Sequence, residues 1–186
     1  TNYGQGKKAL IEFVSANPTG PLTVGHGRGA ILGDVISNVL KWNGYEVERE
    51  YYYNDAGRQM ERLGLSVQAR YLELQGQSIN FPKDGYEGEY IIDIARELIE
   101  EKGNSLINQT DLSPFTKAAE KRIFQQIKHT LSQMGLIFDR YFNEQSLYDS
   151  GARISNFCNH PHATSDEVCI QFAHLWHVRL PPIFLN

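Results

Sequence analysis

The sequence predicts an α/β fold: a parallel, nucleotide-binding sheet interrupted by a mostly helical insertion. Two observations predict it. A strand, a helix and a second strand follow one another within the first 53 residues, and such a βαβ unit requires parallel strands joined by a right-handed crossover. Three helical patterns then occupy residues 55 to 135 before another strand begins. The expected organisation is 1–54 as the first half of the nucleotide-binding core, 55–135 as the helical insertion, 136–150 as a returning strand region and 151–186 as an atypical tail.

The first strand is the run from Lys8 to Val14, short, apolar and rich in β-branched and aromatic residues. Turn-forming residues from Ser15 to Pro21 end it. From Val24 to Trp42 the pattern is helical, with Ile31, Val35 and Leu40, together with Ile36 and Val39, on one side, and Gly44 is the natural stop. Tyr45 to Tyr53 alternates as a second strand. Asp55 is read as the cap of a helix reaching Gln75, striped by Met60, Leu63, Val67, Tyr71 and Leu74. A third helix spans Tyr86 to Lys102, with Ile91, Ile94, Ala95 and Leu98 at core spacing and Gly103 after it. Ser113-Pro114 opens a fourth, whose stripe is Ile123, Ile127, Leu131 and Met134, closed by Gly135. Leu136 to Phe142 is the returning strand.

With 186 residues the chain is read as one domain, and its 41% hydrophobic and 22% charged residues are those of a soluble globular protein. No run reaches the ~18 to 20 apolar residues of a membrane span, and the start Thr1 to Lys8 has no secretory pattern. A net charge of −4 excludes nucleic-acid binding by bulk electrostatics, while leaving room for a local positive site. Two cysteines argue against a disulfide scaffold, so a reducing cytoplasmic location is expected.

The chemistry lies in Ala16-Asn17-Pro18-Thr19-Gly20-Pro21-Leu22-Thr23-Val24-Gly25-His26, followed by Gly27-Arg28-Gly29. The segment leaves the first strand and opens the first helix, where parallel sheets bind ligands. A helix N-terminus presents unpaired N–H groups and a partial positive charge that suit a phosphate. Gly25, Gly27 and Gly29 would let a phosphate or flat ligand approach the backbone, His26 would donate a hydrogen bond, and Arg28 adds a cation. Close helix packing and a simple capping histidine explain the same residues equally well. The spacing matches neither the dinucleotide fingerprint nor the P-loop.

The segment from Glu12 to Gly29 closely resembles the first signature of bacterial-type arginyl-tRNA synthetases, including the H-I-G-H-type motif of class I synthetases. The resemblance continues through Gly33-Asp34, Gly44-Tyr45, Arg49-Glu50-Tyr51-Tyr52, Asn54-Asp55-Ala56-Gly57 and Gly85-Tyr86-Glu87-Gly88-Glu89-Tyr90. It reaches Phe138-Asp139 and the run from Ser146 to Gly151. It implies a Rossmann-like fold, the first half of the class I catalytic domain, and an ATP-dependent activation of L-arginine followed by transfer to tRNA(Arg). It implies that Pro21, Gly25, His26 and Gly27 bind ATP, with His26 and Thr23 catalytic, and that Glu12, Ser15 and Asn17 bind arginine. Magnesium would accompany ATP, and no protein-bound metal is expected.

Two departures from the family pattern stand out. Thr23 replaces the first histidine of the tetrad, keeping a hydroxyl and losing an imidazole. No lysine loop of the K-M-S-K-S type occurs, so the chain is expected to be inactive alone, with most of the tRNA-binding surface on absent domains. The alternatives are a non-catalytic adenosine-nucleotide-binding module and a zinc-stabilised binding module, the latter resting on Cys158, His160, His162, Cys169, His174 and His177. Glu87, Glu89 and Asp93 are read as carboxylates favoured by a helix dipole. Lys117, Lys121, Arg122 and Lys128 are read as a solvated face, with contact to the tRNA acceptor end as the other reading.

Overall fold

The computed structural model describes residues 2–55 and 57–146 together with the backbone of 168–171. The order is β1 (Lys8–Glu12), α1 (Val24–Trp42), β2 (Glu46–Tyr53), α2 (Arg58–Leu74), α3 (Glu89–Lys102), α4 (Ser113–Gln133), β3 (Arg140–Asn143) and β4 (Val168–Gln171). All neighbouring strands run parallel, in the order β3-β2-β1-β4. The chain therefore moves outward from β1 through β2 to β3, and β4 returns to the opposite side of β1. Open α/β sheets bind ligands where the strand order reverses in this way, beyond the carboxyl ends of the strands. The strand β4 lies in the stretch expected to be an atypical tail, and periodicity does not reveal it; the Cys158, His160, His162, His174 and His177 of the zinc reading lie outside the described residues.

The insertion packs by its apolar stripes except at their ends, where Leu74 and Met134, expected in the stripes of α2 and α4, are exposed because each sits at the last turn of its helix. Leu63, Val67 and Tyr71 of α2, Ile91 and Ile94 of α3, and Ile123 and Ile127 of α4 are buried together. Several boundaries differ from expectation, each for a local reason. β1 stops at Glu12 because Val14 (φ 66) and Ser15 (φ 42) turn the chain left-handed. Asp55 does not cap α2, whose N-cap is Gly57; instead its Oδ2 accepts a 2.6 Å hydrogen bond from Asn143 Nδ2, tying the end of β2 to the end of β3. α3 begins at Glu89 rather than Tyr86, whose N–H donates to Ser66 Oγ at 2.9 Å. At α4 the acceptor is Asp111, which takes bonds from the Ser113 N–H (3.0 Å) and hydroxyl (2.7 Å). The returning strand is only Arg140–Asn143, while Leu136 and Phe138 serve as buried core.

The largest departure concerns α1. Its buried residues are Ala30, Gly33 and Ser37, whereas Ile31 is 59% exposed, and Val35, Val39 and Trp42 also face outward. Small residues are toward the sheet because the helix lies close: a Cβ on Gly33 would fall inside the Phe13 ring. Ser37 fills its place by donating from Oγ to the Gly33 carbonyl at 2.7 Å. Leu40 is partly buried against the core, so the expected apolar side is split between two faces.

This geometry predicts an inverted mutational response along α1. Gly33→Ala, ordinarily a helix-stabilising change, is expected to destabilise the chain by about 1–3 kcal/mol through overpacking. Val35→Ser is expected to stay within about 0.5 kcal/mol of the parent. Urea denaturation of both variants checks the contrast.

Candidate active site

The site grows from the exit of β1. The Ser15 N–H donates to the Phe13 carbonyl at 2.9 Å, closing a three-residue turn around Val14 at φ 66. Such γ-turns with positive φ are rare and strained, and a β-branched residue at their centre more so. Strain of this kind persists only where surrounding contacts over-determine it. Here they do. The Tyr51 hydroxyl accepts from the Ala16 N–H at 3.1 Å and donates to the Ala16 carbonyl at 2.8 Å. Burial pushes the Tyr51 phenol far above its ordinary value, so the donor stays protonated. Ser15 Oγ accepts from the Tyr52 N–H at 3.1 Å.

Asn17 continues the bracing. Its Oδ1 accepts from the Asn54 N–H and its Nδ2 donates to Gln59 Oε1, both at 2.9 Å. In this structure Ser15 and Asn17 thus bind the protein's own backbone and α2, holding the loop to the end of β2. Further along, the Tyr90 hydroxyl of α3 donates to the Thr19 carbonyl at 2.8 Å. The helical insertion therefore grips the signature loop directly. Periodicity does not single out Tyr51, Asn54, Gln59 or Tyr90. For Tyr51, Asn54 and Tyr90 the sequence signal is their place within the segments that carry the family resemblance, and Gln59 lies just beyond one of those segments.

Glu12, the last residue of β1, is fully buried. It stands in register with Glu50 of β2 and Gln171 of β4. Glu50 is also fully buried and lies 3.3 Å from Arg140 Nε. Glu12 thus ends β1 beside the point where the strand order reverses, the place at which open α/β sheets bind ligands.

The loop then enters α1 at Thr23, whose φ of −95° and ψ of 168° are extended. Thr23 and His26 form a capping box, with the Thr23 N–H donating to His26 Nδ1 at 3.0 Å and Thr23 Oγ1 3.1 Å from the same nitrogen. No acidic residue occupies this first turn. Pro21, Thr23, Gly25 and Arg28 are exposed or half-buried, as are His26 and Gly27, so none of the six is sealed in the core.

The glycines decide between packing and ligand access. Among the described residues, a Cβ on Gly25 would meet only Thr23 Oγ1 at 3.5 Å, one on Gly27 only Met134 Cε at 4.0 Å, and one on Gly29 nothing within 4 Å. None of the three is demanded by the fold, in contrast to Gly33 on the same helix. Each costs about 1 kcal/mol of helix stability relative to alanine.

The other charged candidates divide between paired and exposed side chains. Arg122 pairs with Glu97 at 2.9 Å, and Lys128 Nζ lies over the rings of Phe124 (4.7 Å) and Tyr141 (4.4 Å), while Lys117 and Lys121 are exposed. Asp93 pairs with Arg96 at 3.2 Å. Glu120 is held above its ordinary value by burial and then by Asp55 nearby. No group of three or more histidine, cysteine or acidic residues is placed to hold a metal, and no helix is long and apolar enough to cross a membrane, among the described residues.

A parallel sheet with reversed strand order, a braced loop after β1 and a helix start bearing glycines and a histidine are the architecture of the N-terminal part of a class I aminoacyl-tRNA synthetase catalytic domain. Residues 1–145 match the family model described as tRNA synthetases class I (R), catalytic domain, and the chain belongs to that family, the arginine-specific branch. It is 58% identical over 151 residues to the arginine–tRNA ligase of Desulfotalea psychrophila, covering 81% of this chain and 27% of that protein. Over 167 residues it is 51% identical to the arginine–tRNA ligase of Salinibacter ruber, covering 81% of this chain and 30% of the relative. A solved structure described as an arginyl-tRNA synthetase from Campylobacter jejuni superimposes with a TM-score of 0.70 at 37% identity, over 80% of this chain and 34% of that one. The chain thus spans under a third of the length of these two curated relatives.

The bracing of the β1 exit predicts that Tyr51→Phe, which keeps the ring and removes both hydrogen bonds to Ala16, destabilises the chain by about 1–3 kcal/mol. Hydrogen exchange is expected to rise first at the Ala16 amide, ahead of the insertion helices, and an exchange map of the variant checks it.

Proposed function

We propose that this chain supplies the ATP-phosphate and arginine-binding end of an arginine–tRNA ligase. Three glycines in the opening turns of α1 with open space at their Cβ positions, beside His26, carry the reading. In the reaction, a carboxylate oxygen of arginine attacks the α-phosphorus of ATP, and the bond to pyrophosphate breaks, leaving arginyl-adenylate. A ribose hydroxyl at the end of tRNA(Arg) then attacks the acyl carbon, and AMP departs.

No covalent enzyme nucleophile is needed in either step. The protein positions the reactants and stabilises developing charge on phosphate oxygens. The N–H groups at the start of α1 and the imidazole of His26 face the phosphates, Pro21, Gly25 and Gly27 line the approach, and Arg28 adds positive charge. Thr23 acts on His26. Glu12 answers the cationic groups of arginine, with Ser15 and Asn17 shaping the strand exit beside it. Magnesium arrives with ATP. The tRNA is bound mostly by parts of the longer relatives that this chain does not span.

Three measurements test the assignment. His26→Ala is expected to weaken ATP binding roughly ten- to a hundredfold, the range for a hydrogen bond to a charged group; unchanged affinity would overturn the phosphate site. Glu12→Gln is expected to weaken arginine binding by a similar factor. Arginine-dependent ATP–pyrophosphate exchange on this chain is expected to be little or none, and robust exchange would show that these residues suffice for activation. ATP binding without exchange is also the result for a nucleotide-binding module, and arginine binding sensitive to Glu12 separates the two.

A further inference from the structure

Gln59 lies exposed in the first turn of α2, a turn anchored by Met60, which is 3% exposed, and by the fully buried Leu63. Its Oε1 accepts from Asn17 Nδ2 at 2.9 Å, and among the described residues this is the one hydrogen bond its side chain makes. The other end of the same Asn17 carboxamide is held too, its Oδ1 accepting from the Asn54 N–H at 2.9 Å. A backbone N–H can only donate, so the oxygen of Asn17 must face Asn54 and its nitrogen must face Gln59. An inverted carboxamide would set donor against donor at Asn54.

The two bonds differ in what they ask of the sequence. Any residue but proline at position 54 supplies the N–H, whereas the bond at the nitrogen end needs a side-chain acceptor of this reach at position 59. The main chain of Asn17 is fixed separately, by the Thr19 N–H donating to its carbonyl at 2.8 Å. What Gln59 adds is therefore the orientation of one side chain. Two bonds use half the capacity of a carboxamide. Asn17 is half-buried, and among the described residues its second N–H and second acceptor site have no partner.

We propose that Gln59 is a positioning residue of the arginine site, holding the Asn17 carboxamide in one orientation before the ligand arrives. A group ordered in advance costs less to bind against than one that must be ordered in the complex. Through this bond the start of the helical insertion sets a side chain on the loop that leaves β1.

The inference rests on the arginine-site reading for its purpose, and the orientation of Asn17 is measurable without any ligand. In the 15N-labelled chain the side-chain amide signals of Asn17 are identified by their loss in Asn17→Asp, and their heteronuclear NOE reports how firmly the carboxamide is held. The parent is expected to give values close to those of the backbone around it. Gln59→Met, which keeps the reach and removes the acceptor, is expected to release the amide. Gln59→Glu, which keeps an acceptor oxygen, is expected to retain it. An Asn17 amide that is mobile in the parent, or unchanged in Gln59→Met, would overturn the proposal.

Binding gives the second readout. L-arginine, titrated calorimetrically, is expected to bind Gln59→Met roughly two- to tenfold more weakly than the parent, the range for one neutral hydrogen bond. Gln59→Glu is expected to bind it at or above the parent affinity. ATP is expected to bind all three chains equally, a split that general damage to the fold would not produce, and far-UV circular dichroism establishes that each variant is folded. If arginine binds Gln59→Met as tightly as the parent although the Asn17 amide is released, the positioning role is overturned. If the amide responds as expected while arginine binds neither parent nor variant, Gln59 still orients Asn17 and it is the arginine-site reading that fails.

Discussion

The exit of β1, from which the site grows, is held by one tyrosine hydroxyl. Between Phe13 and Ala16 the chain reverses out of the sheet through two left-handed non-glycine residues, a conformation costing about 1–3 kcal/mol per residue. The Tyr51 hydroxyl, rising from the neighbouring strand, satisfies both the donor and the acceptor of Ala16. Its ring is locked by Phe124 of α4, Phe138 and Tyr141. The clamp therefore transmits the packing of the helical insertion to the first residues of the signature loop. Tyr90 does the same from α3 at Thr19. The proposed phosphate site would need donors fixed before the ligand arrives, and these two tyrosines tie the loop that leads to it to the helical insertion.

Legibility in the sequence follows the range of the interactions. α1 is readable to the residue, Val24–Trp42, because a proline-rich loop precedes it and a glycine follows. The expected stops at Gly44, Gly103 and Gly135 all have positive φ. The insertion stripes are readable because α2, α3 and α4 bury one face each. What escapes the sequence is whatever a partner distant along the chain settles. Asp55 looks like a helix cap in its own neighbourhood, yet its partner is Asn143 on β3. Ser15 and Asn17 look like ligand residues in a motif, and the motif gives no sign that their side chains also bind Tyr52, Asn54 and Gln59. The strand Val168–Gln171 has no periodicity of its own and exists as a strand by pairing with β1.

The face of α1 shows how a correct helix can carry a misleading pattern. Hydrophobic periodicity locates the core when the large residues fill it. Here the distance between helix and sheet is set by the small residues Ala30, Gly33 and Ser37, and Phe13 supplies the bulk from the strand side. The aliphatic residues Ile31, Val35 and Val39 are left on the outer side, with Trp42 at the end. Composition alone cannot say which partner contributes the volume at an interface, because Phe13 against Gly33 fills space as well as the reverse arrangement would.

The same helix places opposing demands within three turns. Gly33 is a glycine that the fold requires, while Gly25, Gly27 and Gly29 are glycines that the fold tolerates at a loss of about 1 kcal/mol each. A helix start weakened in this way would fray, and a frayed start would no longer point its N–H groups in one direction. The Thr23–His26 box opposes the fraying, since both of its members are held across the first turn. Gly25 lies against the box itself, its Cβ position 3.5 Å from Thr23 Oγ1, so the bonds that hold the turn and the glycines that weaken it share the same few residues. Glycines that would weaken an ordinary helix start can therefore coexist here with a fixed direction for its donors.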